Sequence, residues 1–161
     1  MTHDRLAELE RRLHQLEDER AIERLIACYR PLVDVGEADA AAGLWATDRA
    51  YDVEGWSMGS RDDVAEMVRS DAHQGLIARG SAHFPGPAVV SVDGGNAAAV
   101  CKSLLVLRRD DGYIVSGAGG NHFRLWRIEG RWQILAPFTR PLDGRAEARE
   151  LLAAGVAGRT R

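Results

Sequence analysis

Three hairpin turn signals, regularly spaced, constrain this chain more than any other feature. Asp93-Gly-Gly-Asn96, Asp110-Asp-Gly112 and Glu129-Gly130 separate runs rich in Val, Leu, Ile and aromatic residues. Asp, Asn and Gly between such runs close antiparallel hairpins, because they tolerate the left-handed backbone that tight turns need. The reading is four antiparallel strands from about residue 88 to 140, joined as a meander. Upstream of Ser81 the apolar spacing is helical. Helices followed by a meander mean an α+β domain, with the first helix laid across the concave face of a bent, mostly antiparallel sheet.

The helical part is organised around Ile22, Leu25, Ile26, Tyr29, Leu32 and Val33, whose spacing puts one oily stripe on a helix. The stripe ends at Asp34, and a carboxylate leaving a buried run needs a partner. On an ideal helix Tyr29 and Asp34 stand roughly 140° apart. Both look into one cavity only if the helix distorts, and Pro31 supplies the distortion by removing a backbone bond. Leu6, Leu9, Leu13 and Leu16 form a seam two heptads long that packs on the domain or on a sister subunit. Ala38 to Trp45 reads as a short alanine-rich helix, and Ala50 to Glu54 as a strand with Tyr51 and Val53 on one face. Ser60 caps a helix that continues through Val64, Met67, Val68, Ala72 and Leu76 and stops at Gly80.

Register follows from the last turn. Pairing Ile128 with Arg131 puts Asn121, Phe123, Leu125, Ile134, Ala136 and Phe138 on one face, which should look inward. His122, Arg124 and Trp126 then look toward solvent or another subunit. In the preceding hairpin Ala97, Ala99, Cys101, Ser103 and Leu105 form the uncharged set, with small residues near the turn that leave room for a pocket. Carrying that parity to Asn121 requires a skipped residue in Gly117-Ala-Gly-Gly120, a bulge that also curves the sheet.

Composition excludes several function classes. The 161 residues are of single-domain size, and a net charge of −3 with scattered Arg and Lys offers nucleic acid no basic footprint. Cys28, placed in the first helix stripe, and Cys101 make no disulfide or metal spacing, which fits a cytoplasmic setting. No long apolar run or signal-peptide pattern points to a membrane. Of the five histidines, none forms a tight ligand pair, so no metal is expected. His3, His14 and His73 read as solvated positions on exposed helix faces.

A long first helix with Tyr and Asp in YRPLVD, Tyr51 on an early strand, a lone His before the meander, a GRW-type last hairpin and an Arg-Pro-Leu-Asp-Gly ending together resemble the SnoaL-like branch of the nuclear-transport-factor-2-like superfamily. The likeness spans residues 21–143, with 1–20 as a helical extension and 144–161 as a C-terminal helix or tail. It is nearest to the scytalone dehydratase, bile-acid 7α-dehydratase and lindane dehydrochlorinase group. The resemblance implies a cone-shaped curved sheet wrapped by helices around a closed-ended apolar pocket, a homotrimer or else a dimer, and elimination without cofactor or metal. It further implies a His83–Asp34 base, Tyr29 and Tyr51 as pocket tyrosines, and Asn121 as a polar pocket residue. Pro137 stands where related enzymes carry an arginine, and Arg140 is the substitute. Phe123, Phe138, Trp56 and Met58 complete the expected lining of a site for a small apolar cyclic molecule.

An imidazole can take a proton from a carbon beside a carbonyl at neutral pH without tuning. Asp34 would orient it, and the tyrosines would donate to the developing enolate oxygen. Two other classes stay open: a ketosteroid-isomerase-like or polyketide-cyclase-like enzyme with Asp34 itself as base, and a binding or structural subunit with no chemistry.

Overall fold

The structure, a computed structural model, describes residues 2–47 and 60–159. The strand expected at Ala50 to Glu54 lies outside the described residues, as do Tyr51, Trp56 and Met58. Helix α1 runs Thr2–Asp34 and is followed by α2 (Ala38–Ala42), α3 (Arg61–Arg69) and α4 (Asp71–Arg79). Strands β1 (Ser81–Pro85), β2 (Val89–Asp93), β3 (Asn96–Arg109), β4 (Gly112–Ile128) and β5 (Arg131–Pro141) come next, and α5 (Ala146–Val156) closes the chain. No helix among the described residues is long and apolar enough to cross a membrane.

The strands form one antiparallel sheet in the order β1-β3-β4-β5. β1 and β2 share one edge of β3 end to end, with β1 opposite Ser103 to Leu107 and β2 opposite Asn96 to Val100. Gly86 to Ala88, with Pro87 among them, separate the two, and β2 is shorter than the meander reading expects, with five residues. The three turns lie where their residue types place them, Asp93 opposite Asn96, Arg109 opposite Gly112 and Ile128 opposite Arg131. Glu129 and Gly130 both take positive φ, 49° and 77°, the two-residue turn whose twist matches that of the strands.

Two bulges decide which face each residue occupies. The first leaves Ser116 unpaired, since Leu105 meets Gly117 and Val106 meets Val115. It sits one residue before the glycine run in which the skip is expected, and it brings Cys101 opposite Asn121. The second leaves Leu135 unpaired, since Leu125 meets Ile134 and Arg124 meets Ala136. One extra residue reverses the in-out alternation beyond it. Ala136 and Phe138 therefore fall on the outer face, while Pro137 and Thr139 fall on the inner one with Phe123 and Asn121.

The stripe of α1 packs on the inner face: Ile22, Ile26, Tyr29 and Val33 join Trp45, Val64, Val68, Phe123, Leu125 and Ile134 in one buried cluster. Each such large side chain contributes roughly 1.5–3 kcal/mol on burial. Asp18 marks where α1 docks, pairing with Arg127 and accepting from Trp132 Nε1 at 3.0 Å. N-terminal to it, Leu6, Leu9, Leu13 and Leu16 are each more than half exposed. Cys28 is likewise exposed, on the side of the helix away from the core.

The single helix expected from Val64 to Gly80 is two. Ser70, extended at φ −61° and ψ 146°, ends α3 and caps α4 by accepting from the His73 amide at 3.3 Å. The capping box at Ser60 forms as its residues predict, Ser60 Oγ accepting from the Asp63 amide and the Asp63 carboxylate from the Ser60 amide. On the outer face α5 covers β3 and β4, so His122, expected at solvent or at a subunit contact, is fully buried within the chain. Its Nε2 lies 3.0 Å from the Arg159 carbonyl. Beyond α5 the outer face leaves Phe84, Leu104 and Val115 exposed.

Candidate active site

His83 reaches the inner face because β1 pairs it with Leu105, one of the inward set. Asp34 reaches it because α1 continues through Pro31 to that residue, with Val35 N–H still bonded to the Pro31 carbonyl at 3.1 Å. The Asp34 carboxylate meets His83 twice. Asp34 Oδ1 lies 2.6 Å from His83 Nδ1, and Asp34 Oδ2 accepts from the His83 backbone N–H at 2.7 Å. A carboxylate only accepts, so the ring proton belongs on Nδ1 and the Nε2 lone pair is left as a base. The pair is largely withdrawn from solvent, with side chains 20% and 14% exposed.

Sequence reasoning missed His73, which is 6% exposed and not solvated. Its Nε2–H donates to the Val33 carbonyl at 2.9 Å, and its ring stacks on His83 with centroids 6.2 Å apart and planes 23° from parallel. It thereby ties α4 to the last turn of α1, beside Asp34. The signal that could have found it is Ser70 followed by Asp71: a helix restarting there turns His73 inward three residues past its cap.

Tyr29 is buried and packs edge-on against Trp45, ring centroids 5.8 Å apart. Among the described residues no hydrogen bond links it to His83 or Asp34. Burial pushes its phenol pKa above the ordinary value, so it stays a protonated donor. The Trp45 indole N–H is buried with no acceptor among the described residues. Burial also raises the Cys101 thiol, against a smaller opposing pull from Arg30. Both groups are raised above their unfolded values, so the stability they contribute is present below the unfolded pKa and is lost as pH rises through the folded ones. The contribution of these two groups should hold to about pH 8.5, and denaturation midpoints should fall above about pH 9. Tyr29→Phe and Cys101→Ala should each flatten that fall; an unchanged slope in both would show that other groups cause it.

Asn121, 1% exposed, is held from four sides. Its oxygen accepts from Thr139 Oγ1 at 2.9 Å and Arg30 Nη2 at 3.2 Å, and its nitrogen donates to Ser103 Oγ at 2.9 Å and the Cys101 carbonyl at 3.3 Å. Phe123 is on the inner face and belongs to the buried core. Phe138 and Arg140 do not line this site. The Leu135 bulge puts both on the outer face, Phe138 against His122 with ring centroids 6.2 Å apart and Arg140 bonded to the Thr139 carbonyl at the surface. The arginine that does reach the inner face is Arg30, from α1.

The SnoaL-like domain model matches residues 14–136. The chain is similar to an NTF2-like protein with a cystatin-like fold from Novosphingobium aromaticivorans, 36% identical with a TM-score of 0.85, covering 91% of this chain and 96% of that one. A protein of unknown function from Mycobacterium tuberculosis, solved as an Asp-to-Asn variant, is 24% identical with a TM-score of 0.70 over 92% and 94% of the two chains. A candidate scytalone dehydratase from Novosphingobium aromaticivorans is 19% identical with a TM-score of 0.59 over 88% of each chain. The last two speak to the fold alone. No curated protein matches.

Proposed function

We propose that this chain, which belongs to the SnoaL-like domain family, is a cofactor-free lyase that removes water or halide from a small cyclic substrate, with His83 as general base. The observation that carries the reading is the two-point contact of Asp34 with the ring and the backbone of His83, at 2.6 and 2.7 Å. One contact fixes the tautomer and the other fixes the strand position. Together they hold His83 Nε2 as the acceptor for a proton from the carbon next to a carbonyl. The C–H pair becomes the new double bond as the β-substituent leaves with its electrons, and the imidazolium returns the proton to a departing hydroxide as water.

Asp34 is poorly placed to be the base itself, because His83 engages both of its oxygens. That weighs against the isomerase-like alternative. Tyr29, kept protonated by burial, is the candidate donor to the enolate oxygen, a role worth roughly 3 kcal/mol where such donors are removed. Tyr51 is its proposed companion.

The test is a panel of cyclic β-hydroxy- and β-halo-ketones in deuterated buffer, followed by mass spectrometry and NMR. Elimination with loss of one substituent, dependent on enzyme, is the expected result. Exchange of the α-proton without elimination points to an isomerase, and no exchange with any panel member ends the lyase reading.

A further inference from the structure

We infer that the substrate of this site carries a carboxylate on its ring and that Arg30 binds it. This rests on the His83 reading above and names the substrate class for the same site. Arg30 and Asp34 are four residues apart on α1, so their side chains leave one helix face about 5–6 Å apart. One runs to His83 and the other to Asn121. The helix thus presents the carboxylate that holds the base and a cation to the inner sheet face one turn apart.

Asn121 does not compete for the ligand. An arginine only donates, so the amide oxygen must face it, and the remaining bonds to Thr139, Ser103 and Cys101 use all four positions of the amide. Asn121 is therefore a brace that aims Arg30. The guanidinium has five N–H donors, and the bond to Asn121 takes one. It is half-buried, its carbon lies 5.4 Å from the Tyr29 ring centroid, and among the described residues no carboxylate pairs with it. A neutral amide leaves the charge uncompensated, and a partly desolvated cation gains most from an anion. Tying α1 to the sheet needs only a donor, which glutamine would supply; the charge calls for something further. Thr139, beside this cluster on β5, is exposed, so a ligand can arrive from that side.

The test uses the full chain and two matched probes, 2-naphthoate and 2-naphthamide, by isothermal titration at low salt. Wild type should bind the carboxylate at least about 10-fold tighter, the ratio expected of a charge-assisted pair. Arg30→Gln, which keeps a donor for Asn121, should lose that preference and hold the amide within about twofold. Arg30→Lys keeps the charge without the fork, and its preference should drop about threefold or more, a readout available even if the glutamine variant does not fold. Equal affinity for the two probes in wild type, failure to bind either, or a preference that survives both substitutions overturns the inference. His83→Gln should leave the preference intact. A preference without elimination therefore sinks the lyase reading alone, and elimination on neutral ketones without a preference sinks this one alone.

Discussion

His83→Gln should lower kcat/KM on an accepted cyclic ketone by roughly 10²–10⁴-fold, the span that positioned general bases contribute. Asp34→Asn should do about as much. An asparagine cannot accept from both the ring Nδ1–H and the backbone N–H that the carboxylate now takes at 2.6 and 2.7 Å, so the imidazole loses its fixed tautomer and the counter-charge for its protonated form. The double variant should be little worse than the worse single one, because residues that act as a unit are not additive. Independent, multiplying losses would mean that the pair does not work together. Activity that survives His83→Gln and dies with Asp34→Asn would transfer the base to the carboxylate.

Gly155→Ala should destabilise the fold by roughly 1–3 kcal/mol, the usual cost of overpacking. The sign is the informative part. Helix propensity alone favours alanine over glycine inside a helix by about 1 kcal/mol. Packing says the reverse, since a Cβ at Gly155 would stand 1.9 Å from Val100 Cγ1 and 2.9 Å from His122 Cδ2. Val100 and His122 are themselves buried under α5, so neither can swing away into solvent. Chemical denaturation of the variant and wild type decides it; a stabilised variant would mean that α5 does not seat on β3 and β4 in this way. A loss near 2 kcal/mol would lower the melting temperature by roughly 4–8 °C for a chain of this size.

The parts of the fold that were legible in the sequence are those fixed by neighbours along the chain. Glu129-Gly130 and Asp93-Gly-Gly-Asn96 specify their own turns, Ser60 and Asp63 their own cap, and the Ile22 to Val33 stripe its own buried face. The meeting of Asp34 and His83 was legible through a resemblance, not through spacing, since 49 residues separate them. What failed were statements about faces. Counting in twos from the last turn puts Phe138 inward, and the resemblance offers Arg140 as the pocket cation; the single unpaired Leu135 reverses the count and sets both on the outer face. His73 reads as outward on one continuous helix, and the break at Ser70 turns it toward the end of α1.

By itself, then, the sequence determined that helices come first and a four-stranded meander follows, the turns, the stripe on α1 and the residue types able to act as base and acid. Each follows from local backbone preference and the period of the apolar pattern. Tertiary structure alone decided that Ser116 and Leu135 stand out of the ladder, that α5 and not a partner buries His122, and that Arg30 replaces Arg140 as the cation on the inner face. The physical reason is the period of two in a strand: one bulge costs little locally and reverses every side chain beyond it. Whether it forms depends on what the opposite strand and the covering helix offer on each face.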